Sequence, residues 1–225
     1  MTAPVLDVLG DNPRELTLAA ETELVVAGYT GRDVAAVKHH IDELAAIGVA
    51  PPLQIPMVYR YPLGLLTTDP DVVVPSADTS GEAEPVLIRQ AGAWYLGVGS
   101  DHTDRGIERE SVERSKAVCP KPVSGEVVAL AGDPSTGDLD AEWDAIELRS
   151  WAGGRIYQSA GLGSMRPPSD LLPTVLAELP AGADLVVFCG TVPLIGTAFS
   201  YAADWKIELR TGGATLRSSY SLKIS

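Results

Sequence analysis

The chain is short of the features that membrane, nucleic-acid and disulfide-built proteins need. It carries 17 basic residues against 30 acidic ones, a formal net charge of −13. An acidic surface repels both nucleic acid and anionic membranes, so neither is expected as the main partner. There are only two cysteines, Cys119 and Cys189, far apart in unrelated contexts. They fit reduced thiols better than a disulfide framework. No run of eighteen apolar residues occurs, which argues against a transmembrane helix. Met1 to Gly10 lacks the basic start and long apolar core of a secretory signal, and the cytoplasm is the expected compartment. What is present is ordinary globular composition: 45% hydrophobic and 21% charged in 225 residues, enough to bury a real core.

Periodicity organises that core. Glu15-Leu16-Thr17-Leu18 and Glu23-Leu24-Val25-Val26-Ala27 read as strands. Val34, Val37, Ile41, Leu44 and Ile47 then recur at three- and four-residue steps, with Gly48 as a stop signal, and predict an amphipathic helix. The passage from Pro51 to Pro62 must be extended or turned. Val86 to Arg89 and Trp94 to Val98 read as two strands of a hairpin looping through Gln90 to Ala93. Glu108 to Val118 predicts a short helix, and Ser169 to Leu179 a second one with Ser169 as its N-cap. Asp144 to Ser150, Arg155 to Gln158, Leu185 to Cys189 and Trp205 to Leu209 read as further strands. No internal repeat or low-complexity tract is visible, so one β-rich domain over 1–225 is expected.

Chemistry concentrates at Glu82-Ala83-Glu84 and at Ser100-Asp101-His102-Thr103-Asp104-Arg105. Two carboxylates at i and i+2 point the same way from an extended strand. An antiparallel return could bring Asp101 beside them. Three hard oxygen donors at one point repel each other unless a cation lies between them. Taken alone, the same residues read more simply as surface charge. His102 directly follows Asp101 and would point to the opposite face, which suits a supporting or core role better than ligation. His40 and Glu43 stand three apart on the predicted helix, close enough to hydrogen-bond, so that Glu43 could orient His40 as a general base. The plain alternative there is a solvated helix face. Cys119, with no histidine partner in view, reads as a buried inert thiol.

These landmarks fall into one order. After them come Lys116, Cys119-Pro120-Lys121-Pro122, and the turn from Gly182-Ala183-Asp184 to Gly190-Thr191-Val192-Pro193-Leu194-Ile195-Gly196. The series resembles the fumarylacetoacetate hydrolase superfamily, with its E-x-E strand, N-D-x-x-x-R segment, downstream lysine and G-D-x-I-x-x-G-T-P-x-G-V-G turn. The likeness is strongest over 28–196. It is nearest a DUF2848-type branch through Gly-Tyr-Thr-Gly-Arg-Asp from Gly28, Gly-Val-Gly-Ser-Asp-His-Thr-Asp-Arg from Gly97, and Ser-Lys-Ala-Val-Cys-Pro-Lys-Pro from Ser115.

The resemblance implies an α+β, β-rich fold, a mixed β-roll or sandwich with a few flanking helices, and a homodimer. It implies Mg²⁺, with Mn²⁺ or Ca²⁺ as alternatives, held by Glu82, Glu84 and Asp101. His40 and Glu43 would activate water, and Lys116 would stabilise developing enolate charge. Arg105, Gln158, Gly190 and Thr191 match the substrate side, with Arg105 suited to tying down the ligand loop and Gln158 open to a structural role. The implied reaction is hydrolysis of a C–C bond in a β-dicarbonyl or acylpyruvate-like carboxylic acid. Decarboxylation and keto–enol isomerisation use related enolate chemistry, and a metal- or acid-binding protein without turnover is the alternative from another class. Departures lie on the rim. Ser100 replaces the usual asparagine, the proline of the turn is displaced to Pro193, and Tyr61 stands where a lysine is usual. They leave the substrate open.

Overall fold

The chain folds around two β-sheets, as seen in a computed structural model that describes residues 4–46 and 51–225. The larger sheet has eight strands, in spatial order Arg14–Thr17, Val5–Leu9, Glu126–Ala129, Ala93–Ser100, Ala83–Gln90, Leu185–Phe188, Glu23–Gly28 and Met57–Tyr61. Two of its pairings are parallel, Val5–Leu9 with Glu126–Ala129 and Leu185–Phe188 with Glu23–Gly28; the rest are antiparallel. The second sheet has five strands, Arg155–Gly161, Glu147–Ala152, Asp204–Arg210, Thr215–Ile224 and Asp71–Val74. This is the expected β-rich α+β architecture with few helices.

The large sheet is buried on both faces, which explains its nearly continuous apolar strands. In Glu23–Gly28, Val25 and Ala27 enter the core shared with the second sheet. Leu24 and Val26 point to the other face, where Leu6, Val86, Ile88, Val186 and Phe188 cluster under Tyr59, Tyr61 and Leu66. Alternation of period two therefore feeds two cores from one strand. From the second sheet Leu148, Ile207, Leu209 and Leu216 fill the shared core.

Several boundaries move from their sequence expectations. The first helix is Val34–Ala46, opened by Asp33, whose carboxylate accepts from the amides of Ala35 and Ala36. Its expected stop at Gly48, and Ile47 before it, lie outside the described residues. The helix expected over Glu108 to Val118 is two short ones, Arg105–Glu108 and Val112–Ala117. Ser111 separates them by capping the second, accepting from the Arg114 amide. Ser169 is not an N-cap: that helix runs Pro168–Ala177 from Pro167, and Ser169, inside its first turn, donates to the Asp140 carboxylate. Proline at the first helical position costs no hydrogen bond, and so wins the start. The strand expected from Asp144 begins only at Glu147, because Asp140–Trp143 is helical and Asp144 turns out to pair with Arg32.

Candidate metal centre

The Ala83–Gln90 and Ala93–Ser100 strands pair along their whole length, with Ala83 opposite Ser100. One step beyond, the Asp101 amide donates to the Glu82 carbonyl at 2.9 Å. The register thus carries Asp101 back beside the Glu82-Ala83-Glu84 run. Carboxylate oxygens of Glu82, Glu84 and Asp101 lie within 4.8 Å of one another. Asp101 is fully buried and Glu84 is 2% exposed, whereas the Glu82 side chain is 17% exposed. Glu82 is therefore the open edge of the triad.

Two lysines neutralise it from one side. Lys116 Nζ donates to Asp101 Oδ2 and lies 3.8 Å from Glu82 Oε2. Lys121 is fully buried; its Nζ donates to the carbonyls of His102 at 2.7 Å and Lys116 at 2.6 Å, and lies 3.0 Å from Asp101 Oδ1. Burial alone would raise the Asp101 carboxyl, but the lysine charges outweigh it and hold the group at about 2. Glu84 goes the other way. Burial, then the neighbouring charge of Asp101, push its carboxyl well above the usual range against the pull of Lys116. For Lys116, burial works against the charged form, and the surrounding Asp101, Glu82 and Glu84 more than restore it.

The donor set fits a hard divalent ion. It consists of carboxylate oxygens, with no sulfur or imidazole to favour zinc or copper. Asp101 Oδ1 is buried with Lys121 Nζ 3.0 Å away, while the ammonium's hydrogen bonds go to two backbone carbonyls. That leaves a free lone pair on the innermost carboxylate.

A scaffold of neutral hydrogen bonds fixes the triad. Glu84 Oε2 accepts from the Gly190 amide at 2.8 Å. Gly190 has φ 92°, and a Cβ there would meet Thr30 Oγ1 at 1.8 Å, so the turn requires glycine. Thr191 Oγ1 donates to the Ala83 carbonyl at 2.8 Å and accepts from Gln158 Nε2 at 2.7 Å. Gln158 Oε1 in turn accepts from the Ala83 amide at 3.0 Å and from Ser150 Oγ at 2.8 Å. Gln158, Gly190 and Thr191, matched above to a substrate side, are brought together here around the strand that carries Glu84.

His102 serves the same scaffold from below. Its Nδ1 is 3.1 Å from the Tyr220 hydroxyl and its Nε2 is 3.0 Å from Thr79 Oγ1. Tyr220 donates its proton to Ser100 Oγ at 2.9 Å. The assignment that satisfies all three bonds has Nδ1–H donating to Tyr220 and Nε2 accepting from Thr79. Burial, helped by Lys121 and Arg105, lowers the imidazole to about 3, so it is neutral and braces the Ser100–Asp101 turn. Ser100, in place of asparagine, is thus tied to the second sheet through Tyr220.

Arg105 ties down the open edge. Its Nη2 is 3.0 Å from Glu82 Oε1, and its Nη1 donates to both Glu108 carboxylate oxygens at 2.9 Å. The helix Val34–Ala46 carries His40 and Glu43, whose side chains lie outside the described residues. Cys119 is buried beside the site, and burial pushes its thiol up to about 12.

Sequence reasoning did not single out Lys121 or Tyr29. Lys121 stands between Pro120 and Pro122, which reads as a surface turn but is a two-residue strand paired with Leu66–Thr67. Tyr29 holds a left-handed φ of 58° at the end of its strand and is half-buried near Lys116 and Glu108. Its signal was the Gly28-Tyr29-Thr30-Gly31 run, which marked a family without revealing a role.

The sheets and their topology are those of the fumarylacetoacetate hydrolase fold. A candidate fumarylacetoacetate isomerase/hydrolase from Oleispira antarctica superposes with a TM-score of 0.64 at 18% identity, covering 96% of this chain and 98% of that one. A candidate fumarylacetoacetate hydrolase family protein from Yersinia pestis CO92 gives 0.61 at 19% identity over 91% and 95%. A 5-carboxymethyl-2-hydroxymuconate delta-isomerase from Mycobacterium smegmatis gives 0.62 at 14% over 98% and 94%. Within that fold the chain belongs to the family described as "Protein of unknown function (DUF2848)", whose model matches residues 27–220. No curated protein sequence matches it.

Proposed function

We propose that this protein is a divalent-metal-dependent enzyme that cleaves a C–C bond in a β-dicarbonyl or acylpyruvate-like carboxylic acid. The observation that carries the reading is the convergence of Glu82, Glu84 and Asp101 within 4.8 Å at the end of one hairpin. Mg²⁺ is the ion of choice, with Mn²⁺ and Ca²⁺ as alternatives, and when bound it would supply Lewis acidity toward the oxygens of a keto acid. Lys116, its ammonium directed into the same cluster, offers positive charge to an enolate oxygen as it develops. His40, oriented by Glu43 one helical turn away, takes a proton from water and so supplies the nucleophile for the distal carbonyl. Gly190 and Thr191 hold Glu84 and its strand, Gln158 fixes the same strand, and Arg105 holds Glu82. A small acid is the expected partner, and a homodimer the expected assembly.

The isomerase from Mycobacterium smegmatis among the structural neighbours supports a second reading, keto–enol isomerisation. There the same residues would stabilise the enolate without the attacking water. Titration calorimetry tests the centre: wild type should bind Mg²⁺ or Mn²⁺, and Glu82→Ala and Asp101→Ala should not. Equal binding by all three would sink the assignment. Ultraviolet absorbance with oxaloacetate or a simple acylpyruvate tests the reaction. His40→Ala should abolish hydrolysis, and an unchanged rate in that variant would remove water activation from the scheme.

A further inference from the structure

The segment after the Gly190-Thr191 turn, Pro193 to Ala203, contains no charged residue. It is open to solvent yet rich in apolar side chains. Ile195 is 58%, Phe199 41% and Tyr201 54% exposed, and Ile156 on the facing strand is 48% exposed. Single exposed apolar residues need no explanation, but a contiguous group does. With Tyr157, Ala198 and Ser200, Ile156 and Ile195 line a hollow of about 220 Å³, in which Arg155 is the one charged lining residue. The segment is anchored at both ends: the Ile195 amide donates to the Tyr157 carbonyl at 2.9 Å, and the Ser200 amide to the Tyr157 hydroxyl at 3.4 Å.

Its position relative to the triad is set by Phe199. The Phe199 ring lies 4.0 Å from the Arg105 guanidinium carbon. Arg105 is 4% exposed, and its other contacts are Glu82 and Glu108. Phe199 is therefore one guanidinium away from Glu82, the open edge of the triad. Arg105 is itself engaged: its Nη1 is bidentate on Glu108 and its Nη2 faces Glu82. Its Nε and Nη2 make no hydrogen bond, but both are buried from solvent and the guanidinium face is covered by a phenyl ring, so a distal carboxylate does not reach them.

We infer that the segment Pro193 to Ala203, pinned by Phe199 on Arg105, is the wall that receives the distal part of the substrate, and that it selects an apolar alkyl or aryl tail over a second carboxylate. The inference rests on the functional reading above and adds the substrate class: a 2-oxo acid with one carboxylate and an apolar far end. Phe199 is the specificity-determining residue.

The test compares three acids on the Mn²⁺-loaded protein by calorimetry. Oxalate reports the acid head alone, phenylpyruvate adds an aryl tail, and 2-oxoglutarate adds a distal carboxylate. Phenylpyruvate should bind at least about tenfold tighter than 2-oxoglutarate, the worth of burying one apolar group. Phe199→Ala should erase that ratio and Phe199→Leu should keep most of it. The ratio within each variant cancels any change at the ion. If oxalate binds but 2-oxoglutarate equals or exceeds phenylpyruvate, with Arg155 as its cation, the apolar wall is overturned while the metal reading stands. If Phe199→Ala leaves the ratio intact, Phe199 is not the selector. If none of the three binds, the functional reading falls, and this inference with it.

Discussion

Lys121 shows how much a single residue can cost and contribute. A fully buried ammonium survives only if its donors are used and a carboxylate faces it, and here two carbonyls and Asp101 do both. Lys121→Met would keep the volume but leave both carbonyls without that donor and Asp101 short of one countercharge. The expected loss is about 3–5 kcal/mol, the usual cost of breaking a buried ion pair, read from urea denaturation of the variant against wild type. A loss below about 1 kcal/mol, within the range of an exposed pair, would show that the ammonium is solvated. Cys119 gives a second residue-scale prediction. With its thiol pushed up to about 12, only about one part in ten thousand is thiolate at pH 8. Ellman's reagent should leave the folded protein unlabelled at pH 8 and label both cysteines in guanidinium; fast labelling of the native protein would contradict the burial. Reactivity should rise with pH, since deprotonation lies far above it. Strand alternation and an antiparallel return allow Glu82, Glu84 and Asp101 to meet, but taken alone they read as surface charge, and only their order with Lys116 and the Gly190-Thr191 turn marks them as a site. The sequence does not show Lys121, because a lysine between prolines reads as surface and only the packing of Asp101 explains its burial.

At the scale of elements, the hairpin that carries the triad is the most strongly specified unit. Its turn is the two-residue pair Ala91-Gly92, with φ of 51° and 81°, the left-handed pair that matches strand twist. Gly92 adopts this freely, but a left-handed alanine costs roughly 1–2 kcal/mol. Ala91→Asn should therefore stabilise the protein by about 0.5–1 kcal/mol, since asparagine tolerates this region and the turn is otherwise unchanged. Thermal melts of the pair would check the sign, and a lower Tm in the variant would show that the alanine is not strained. The hairpin and Leu185–Phe188 are legible because their residues are apolar in long runs buried on both faces. Thr215–Ile224 is not: Thr215-Leu216-Arg217-Ser218-Ser219-Tyr220 looks like a polar loop, and only Leu216 and Tyr220 of that stretch are buried. Val5–Leu9 and Glu126–Ala129 are short, and they become a parallel pair only through contacts 119 positions apart, such as Asp7 with Glu126. Such pairing leaves no local mark.

At the scale of the whole molecule, the triad hangs from the strands that supply both cores, Leu87, Leu96 and Val98 to one and Val86 and Ile88 to the other. A ligand held at the end of that hairpin therefore acts on global unfolding rather than on a loop. An ion that binds the folded chain at about a hundred times its Kd adds about 2.7 kcal/mol. For a chain of this size each kcal/mol moves Tm by about 2–4 °C, so the expected rise is about 5–10 °C. The net charge of −13 supplies a competing explanation, because any salt screens self-repulsion and stabilises an acidic protein. The two differ in specificity. Site binding should saturate with Mg²⁺ at constant ionic strength, should not be reproduced by NaCl, and should vanish in Asp101→Ala. Screening would act equally on wild type and variant. A Tm rise of the same size in Asp101→Ala would assign the effect to general electrostatics and leave the three carboxylates as a cluster balanced by Lys116, Lys121 and Arg105 alone.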